Sequence, residues 1–101
     1  MYYSVSAQLV EEKAGELYAK LTDGTIAAQQ PDGEEIVDSM ERARIGSDGL
    51  VRWSEACYCL TPLGHERETV YDYYFTNLHT RRVSDYVEFE GQPLMEKIKP
   101  A

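Results

Sequence analysis

The sequence predicts an α+β protein, a two-layer sandwich in which two helices cover one face of a mainly antiparallel sheet of about four strands. The chain opens with strict alternation of apolar and polar residues, two helical repeats follow, and the second half alternates again. Strands that are apolar on one face pair antiparallel and need cover on that face only, which amphipathic helices provide. A ferredoxin-like arrangement is the leading expectation, and residues 1–101 are expected to form a single domain.

The first half of the chain is predicted to contain a strand and two helices. Residues 2–9 alternate between apolar and polar side chains, which is typical of a half-buried strand. Residues 11–22 place apolar side chains at helical spacing, with acids in the first turn and a lysine in the last. Residues 25–30 are ambiguous between a short strand and an irregular crossing. A second helix is expected over residues 34–45, between two glycine-containing turns.

Residues 51–75 are predicted to form a β-hairpin that turns around Leu63. A register centred there places Glu55 opposite Tyr71, whereas a slip by one residue would place Asp72 opposite Glu55, where like charges are unfavourable. The centred register also gathers the aromatic side chains of both strands on one face. That face then carries a carboxylate among apolar neighbours, which is costly unless the carboxylate is paired or used in chemistry.

The rest of the chain is predicted to add one strand and a short terminal element. A turn is expected at residues 77–80, and residues 82–90 alternate again, which indicates a further strand. The Gly-Gln-Pro sequence at 91–93 ends it. Apolar residues within 94–98 are expected to form a last turn or strand that docks on a neighbour.

Two interpretations of the hairpin face remain open. In the functional one, the face holds a small pocket for ligand binding or acid–base chemistry. The candidate catalytic residues are Glu55 as general base or ligand anchor, Tyr71 as hydrogen-bond donor, Arg67 as anion clamp, and His65 at the loop tip. The candidate ligand-binding residues are Trp53, Tyr73 and Cys57. In the structural interpretation, Glu55 is a buried carboxylate that Tyr71 and Arg67 satisfy, and it does no chemistry.

The two cysteines, Cys57 and Cys59, are expected to be reduced and buried. On a strand their Cα atoms lie about 6.5 Å apart, at the edge of disulfide geometry. With His65 and His79 they are the only Cys and His residues, and four ligands of these types suit zinc. The cysteine spacing lacks the usual knuckle turn, and no metal or cofactor is predicted.

Composition narrows the function classes. The net charge is −8, so binding to the phosphate backbone of nucleic acids is not expected. No apolar run is long enough to span a bilayer and no signal-peptide pattern follows Met1, so we expect a cytoplasmic protein without membrane partners.

Assembly and function are predicted only in outline. Several tyrosines lie on the nominally polar strand faces, and because tyrosine is enriched at interfaces, we expect a homodimer. These tyrosines are Tyr2, Tyr58, Tyr74 and Tyr86. The first hypothesis is a homo-oligomeric domain that binds a partner or a small-molecule ligand. The alternatives are a small enzyme that uses acid–base residues in a helix–sheet cleft and, more weakly, a zinc-binding module.

Overall fold

The computed structural model describes all 101 residues and confirms the α+β class, with five strands and four helices rather than about four strands and two helices. The strands are β1 (Tyr2–Leu9), β2 (Arg44–Ile45), β3 (Val51–Ala56), β4 (Phe75–Val83) and β5 (Gln92–Pro93). The helices are α1 (Ala14–Thr22), α2 (Gly33–Arg42), α3 (residues 64–74) and α4 (Leu94–Ile98). None of these helices combines the length and the apolar content that crossing a membrane requires.

All strand pairs are antiparallel, and the order in the sheet is β4-β1-β3-β2-β5. The predicted first strand is confirmed as β1, in which Tyr3, Val5 and Ala7 are buried while the residues between them are half-exposed. In the pairing of β1 with β3, Val5 lies opposite Trp53. Because directly paired residues share a sheet face, these side chains build the core together with the helices.

Both predicted helices form, with different ends. A 3-10 turn over Glu11–Lys13 leads into α1, which buries Leu17 and Leu21. The second helix, α2, begins at Gly33 and ends at Arg42, so the predicted end at residue 45 is wrong. Ala43 adopts an extended conformation, and β2 then pairs with β3. Residues 25–30 form a series of turns and no strand.

The predicted hairpin is wrong beyond β3, because residues 64–74 form a helix. This helix, α3, consists of two short α-helical pieces, Gly64–Glu66 and Asp72–Tyr74, joined by a π-helical turn over Arg67–Tyr71. The many β-branched and aromatic residues favoured a strand, but such a preference yields to tertiary packing. The buried residues of this region follow a helical repeat, being Leu63, Glu66, Val70, Tyr71 and Tyr74.

The last part of the chain also differs from the prediction. The expected turn at 77–80 lies inside β4, where Asn77 has a positive φ of 51° and the pairing with β1 shifts register. The asparagine therefore marks a β-bulge and not a turn. The strand predicted for 82–90 ends at Val83. Residues 84–90 instead cross the second sheet face, where the backbone of Val87 exchanges hydrogen bonds of 2.9 and 3.0 Å with the Ser54 hydroxyl.

Candidate functional site

Glu55 lies in the core, as predicted, but its partner Tyr71 comes from α3 and not from a strand. Alternation in β3 turns Trp53 and Glu55 to the covered face, and both side chains are fully buried. The Trp53 indole N–H donates to Glu55 Oε1 at 2.9 Å, and the Tyr71 hydroxyl donates to the same oxygen at 2.5 Å. The Trp53 ring packs 5.1 Å from the rings of Tyr71 and Phe75.

This environment changes the protonation of Glu55. Burial raises the pKa of the Glu55 carboxyl from 4.5 to about 8, although the hydrogen bonds from Tyr71 and Trp53 act in the opposite direction. The second carboxyl oxygen, Oε2, is buried and has no hydrogen-bond partner. Burial beside Glu55 also raises the pKa of Tyr71 well above its ordinary value. Glu55, Trp53 and Tyr71 are all fully buried, so the cluster is closed to solvent.

The other predicted site residues are distributed differently from the hairpin prediction. Arg67 is paired with Asp72 on the outside of α3, with Nε 3.0 Å from Oδ1, and makes no contact with Glu55. Tyr73, predicted as a ligand-binding residue of the hairpin face, is 57% exposed because the helix turns it outward. His65 contacts neither Glu55 nor Tyr71, and instead its Nδ1 lies 2.5 Å from the Asp32 carboxylate. Only Trp53, Glu55 and Tyr71 therefore meet as a group.

A second cluster forms where β3 leads into α3. Both thiols donate to one oxygen of Glu66, with Cys57 Sγ at 3.4 Å and Cys59 Sγ at 3.3 Å from Oε1. Sγ of each cysteine and a Glu66 oxygen all lie within 4.8 Å of one another. Glu66 is 1% exposed and Cys57 is 2% exposed, while Cys59 is half-buried. Burial and, to a smaller extent, the side chains of Cys59 and Glu66 raise the pKa of the Cys57 thiol to about 12.

The local backbone explains why these three side chains converge. The chain leaves β3 and is held at Cys57, whose N–H donates to the Met1 carbonyl at 2.8 Å. It re-enters the core at Leu63, which is fully buried and has a positive φ of 56°. α3 starts at the next residue, so Glu66 falls in its first turn and points back at the cysteine segment. Both cysteines are free, as predicted, but the prediction that both are buried is wrong for Cys59, which is half-buried.

A hollow of about 270 Å³ opens beside this second cluster. Its walls come from the start of α2, the end of β3 and the start of α3. The residues that line it, referred to below as the acidic hollow, are Pro31, Asp32, Glu35, Ala56, Cys57, Tyr58, Cys59 and Glu66. It contains three carboxylates and no Lys or Arg, so its electrostatic potential favours positively charged ligands.

The three carboxylates of the acidic hollow are not equivalent. Asp32 is paired with His65, and this contact raises the pKa of the imidazole. Glu35 accepts a hydrogen bond from Arg42 at 3.3 Å and one from the backbone N–H of residue 56 at 2.9 Å. Glu66 has no Lys, Arg or His nitrogen within 4.0 Å. The most deeply buried acid of the three is thus the one without a cationic partner.

Comparisons with protein families, curated proteins and solved structures find no match to this chain. The chemistry of the two clusters therefore has to be derived from their own geometry. The cluster around Glu55 is closed and packed, whereas the acidic hollow is open and holds two thiols and an uncompensated carboxylate.

Sequence reasoning did not place Glu66, Asp32 and Glu35 beside the cysteines, where the structure has them. The spacing of Leu63, Glu66, Val70 and Tyr74 is three to four residues throughout, which indicates one face of a helix. That repeat contained the signal, and Glu66 occupies an inward position in it. Asp32 and Glu35 approach the cysteines only through the packing of α2 on β3, which no local pattern indicates.

Proposed function

We propose that this chain is a ligand-binding domain whose binding site is the acidic hollow and whose ligand is a small cation. The observation that carries the proposal is the buried carboxylate of Glu66, which has two thiols as its only hydrogen-bond donors and no cationic partner. A thiol is a weak donor, and a buried carboxylate is costly to maintain without stronger partners. A bound cation supplies the missing charge.

The size of the hollow supports a small ligand. Its volume of about 270 Å³ is below the range of about 300–1,000 Å³ that drug-sized ligands occupy. The closed cluster around Glu55 argues against an enzyme that uses Glu55 for proton transfer, because a general base has to reach the proton that it removes. Glu55 in the closed core has no such access, since its carboxyl is fully buried.

Three finer expectations remain part of the proposal. A ferredoxin-like arrangement is supported by the sheet order β4-β1-β3-β2 and by the succession up to β4, in which two helices, α1 and α2, instead of one connect β1 to β2. A homodimer is supported by the nine-residue edge strand β4 and by the exposed side chains of Tyr58 and Leu60. A cytoplasmic location is supported by two thiols that remain free although they lie close together.

The proposal is tested by recording amide spectra of the ¹⁵N-labelled protein during titration with choline, spermidine and Zn²⁺. We expect at least one of these cations to shift the amides of residues 31–35 and 56–66 in a saturable way. Glu66→Gln removes the uncompensated charge and should weaken that binding about tenfold or more, since a charged contact contributes about 1.5–3 kcal/mol.

The matched control is Glu12→Gln, which makes the same change in net charge at an exposed residue outside the hollow. It should leave the titration unchanged. The proposal is wrong if none of the three cations shifts the hollow, or if Glu12→Gln weakens binding as much as Glu66→Gln does.

A further inference from the structure

The two sulfur–oxygen distances of the second cluster match the separation that one tetrahedral metal ion imposes. Zinc binds sulfur at about 2.3 Å and carboxylate oxygen at about 2.0 Å, so a tetrahedral ion holds sulfur and oxygen about 3.5 Å apart. The sulfur–oxygen distances here are 3.4 Å for Cys57 and 3.3 Å for Cys59. The three donor atoms also lie within 4.8 Å of one another.

We infer that Cys57, Cys59 and Glu66 form a binding site for a single zinc-class divalent metal ion. This inference specifies the ligand of the acidic hollow and so rests on the proposed function. Two thiolates with one carboxylate leave the fourth tetrahedral position free, and all three residues line the acidic hollow. Thiolate ligands select zinc and its relatives over Mg²⁺ or Ca²⁺, which prefer oxygen donors.

The charge balance of the site supports a divalent ion. Without metal, the cluster holds two neutral thiols and one carboxylate, with a net charge of minus one. Binding replaces the two thiol protons, which pass to water, with one Zn²⁺ that bonds to two thiolates and the carboxylate. The net charge stays at minus one.

The proposed ligands differ from the two cysteines and two histidines that the sequence analysis considered for zinc. His65 has its Nδ1 on Asp32, and His79 is exposed on β4, so neither histidine belongs to the cluster. Two ligands come from the segment after β3 and one from the first turn of α3. The cysteine spacing of one intervening residue is compatible with the site because the third ligand approaches from a separate helix.

Cobalt titration of the reduced, metal-free protein tests this inference. Co²⁺ bound by thiolates gives charge-transfer absorption, and the chain has no cysteines other than these two. We expect one Co²⁺ per chain, displacement by Zn²⁺ and no displacement by Mg²⁺. Cys57→Ser and Cys59→Ser should abolish the charge-transfer bands, and Glu66→Gln should weaken binding about tenfold or more. His79→Ala is the matched control and should bind as the wild type does.

A second measurement uses the unmodified protein, so that it does not depend on the folding of the variants. Zinc should slow alkylation of the two thiols by iodoacetamide, and Mg²⁺ should not. The inference is overturned if Co²⁺ gives no thiolate absorption and zinc does not protect the thiols. If choline or spermidine still shifts the hollow in that case, only the metal assignment fails; if no cation binds, the proposed function fails with it.

Discussion

Glu55→Gln tests how the ionisation of Glu55 affects stability, because glutamine has nearly the same size as glutamate but does not ionise. The pKa of Glu55 is about 8 in the folded protein, against an ordinary value of 4.5. Between these two values the folded state keeps a proton that the unfolded chain has lost. The free energy of unfolding therefore falls as the pH rises through this window, and it does not change further once both states are ionised.

The size of the effect follows from the difference between the two pKa values. One pKa unit corresponds to about 1.4 kcal/mol. The free energy of unfolding therefore falls by an amount of the order of 5 kcal/mol across the whole window, with a steepest slope of about 1.4 kcal/mol per pH unit. The groups that face the carboxyl are the Tyr71 hydroxyl and the Trp53 indole, with the carboxylates of Glu66 and Glu35 acting at longer range. Glutamine keeps the accepting oxygen for both donors but does not titrate.

Urea unfolding at pH 5, 6, 7 and 8, in the presence of a chelator, measures this slope. Trp53 is the only tryptophan and contacts Glu55, so its fluorescence reports unfolding at the site. We expect the wild type to lose stability from pH 5 to 8 and Glu55→Gln to lose much less. At pH 5 we expect Glu55→Gln to have a lower free energy of unfolding than the wild type, because the glutamine amide nitrogen takes the position of Oε2, where it has no hydrogen-bond partner.

The difference between the two proteins isolates Glu55. His65 also has a raised pKa, so its contribution is lost as the pH rises, but it is present in both proteins and cancels. Glu12→Gln, at an exposed position, should keep the wild-type slope. Equal slopes for the wild type and Glu55→Gln would refute the reasoning, since the carboxyl would then not hold a proton in the folded core.

Three further predictions concern packing and the acidic hollow. Gly33→Ala should destabilise the protein by about 1–3 kcal/mol in urea unfolding, because its Cβ would lie 2.1 Å from the Ile26 carbonyl oxygen. Gly15→Ala should instead stabilise α1 by up to about 1 kcal/mol, because nothing lies within 4 Å of the new Cβ. Asp32→Asn should lower the pKa of His65, since Asp32 is the main cause of its rise, and an NMR titration of the imidazole measures this.

The parts of the fold that the sequence predicted are those in which one periodicity dominates. In β1 the alternation is uninterrupted, and in α1 the apolar residues recur only at helical spacing. Residues 63–75 satisfy both patterns, since their aromatic and β-branched side chains suit a strand while their inward positions repeat every three to four residues. Packing against β3 decides between the two, and a local pattern does not contain that information.

The contact between Glu55 and Tyr71 was predicted from the wrong element. The hairpin register placed Tyr71 across from Glu55 because it paired apolar neighbours with apolar neighbours, and the helix satisfies the same requirement by packing on β3. Arg67 and Tyr73 show where the two solutions differ. In a strand they would share a face with Tyr71, whereas α3 turns Arg67 toward Asp72 and exposes Tyr73.

The two buried acids show why the proposed binding site lies at the start of α3 and not on β3, where the sequence predicted it. Glu55 and Glu66 are both excluded from water, but Glu55 receives two strong donors in a packed core, and Glu66 receives two weak ones beside an open hollow. The first arrangement leaves one carboxyl oxygen, Oε2, without a partner, but that oxygen lies in a closed core. The second leaves a buried carboxylate without a cationic partner, beside two thiols that would exchange their protons for a metal ion in the proposed site. Incomplete satisfaction next to an opening is what distinguishes a binding site from a core.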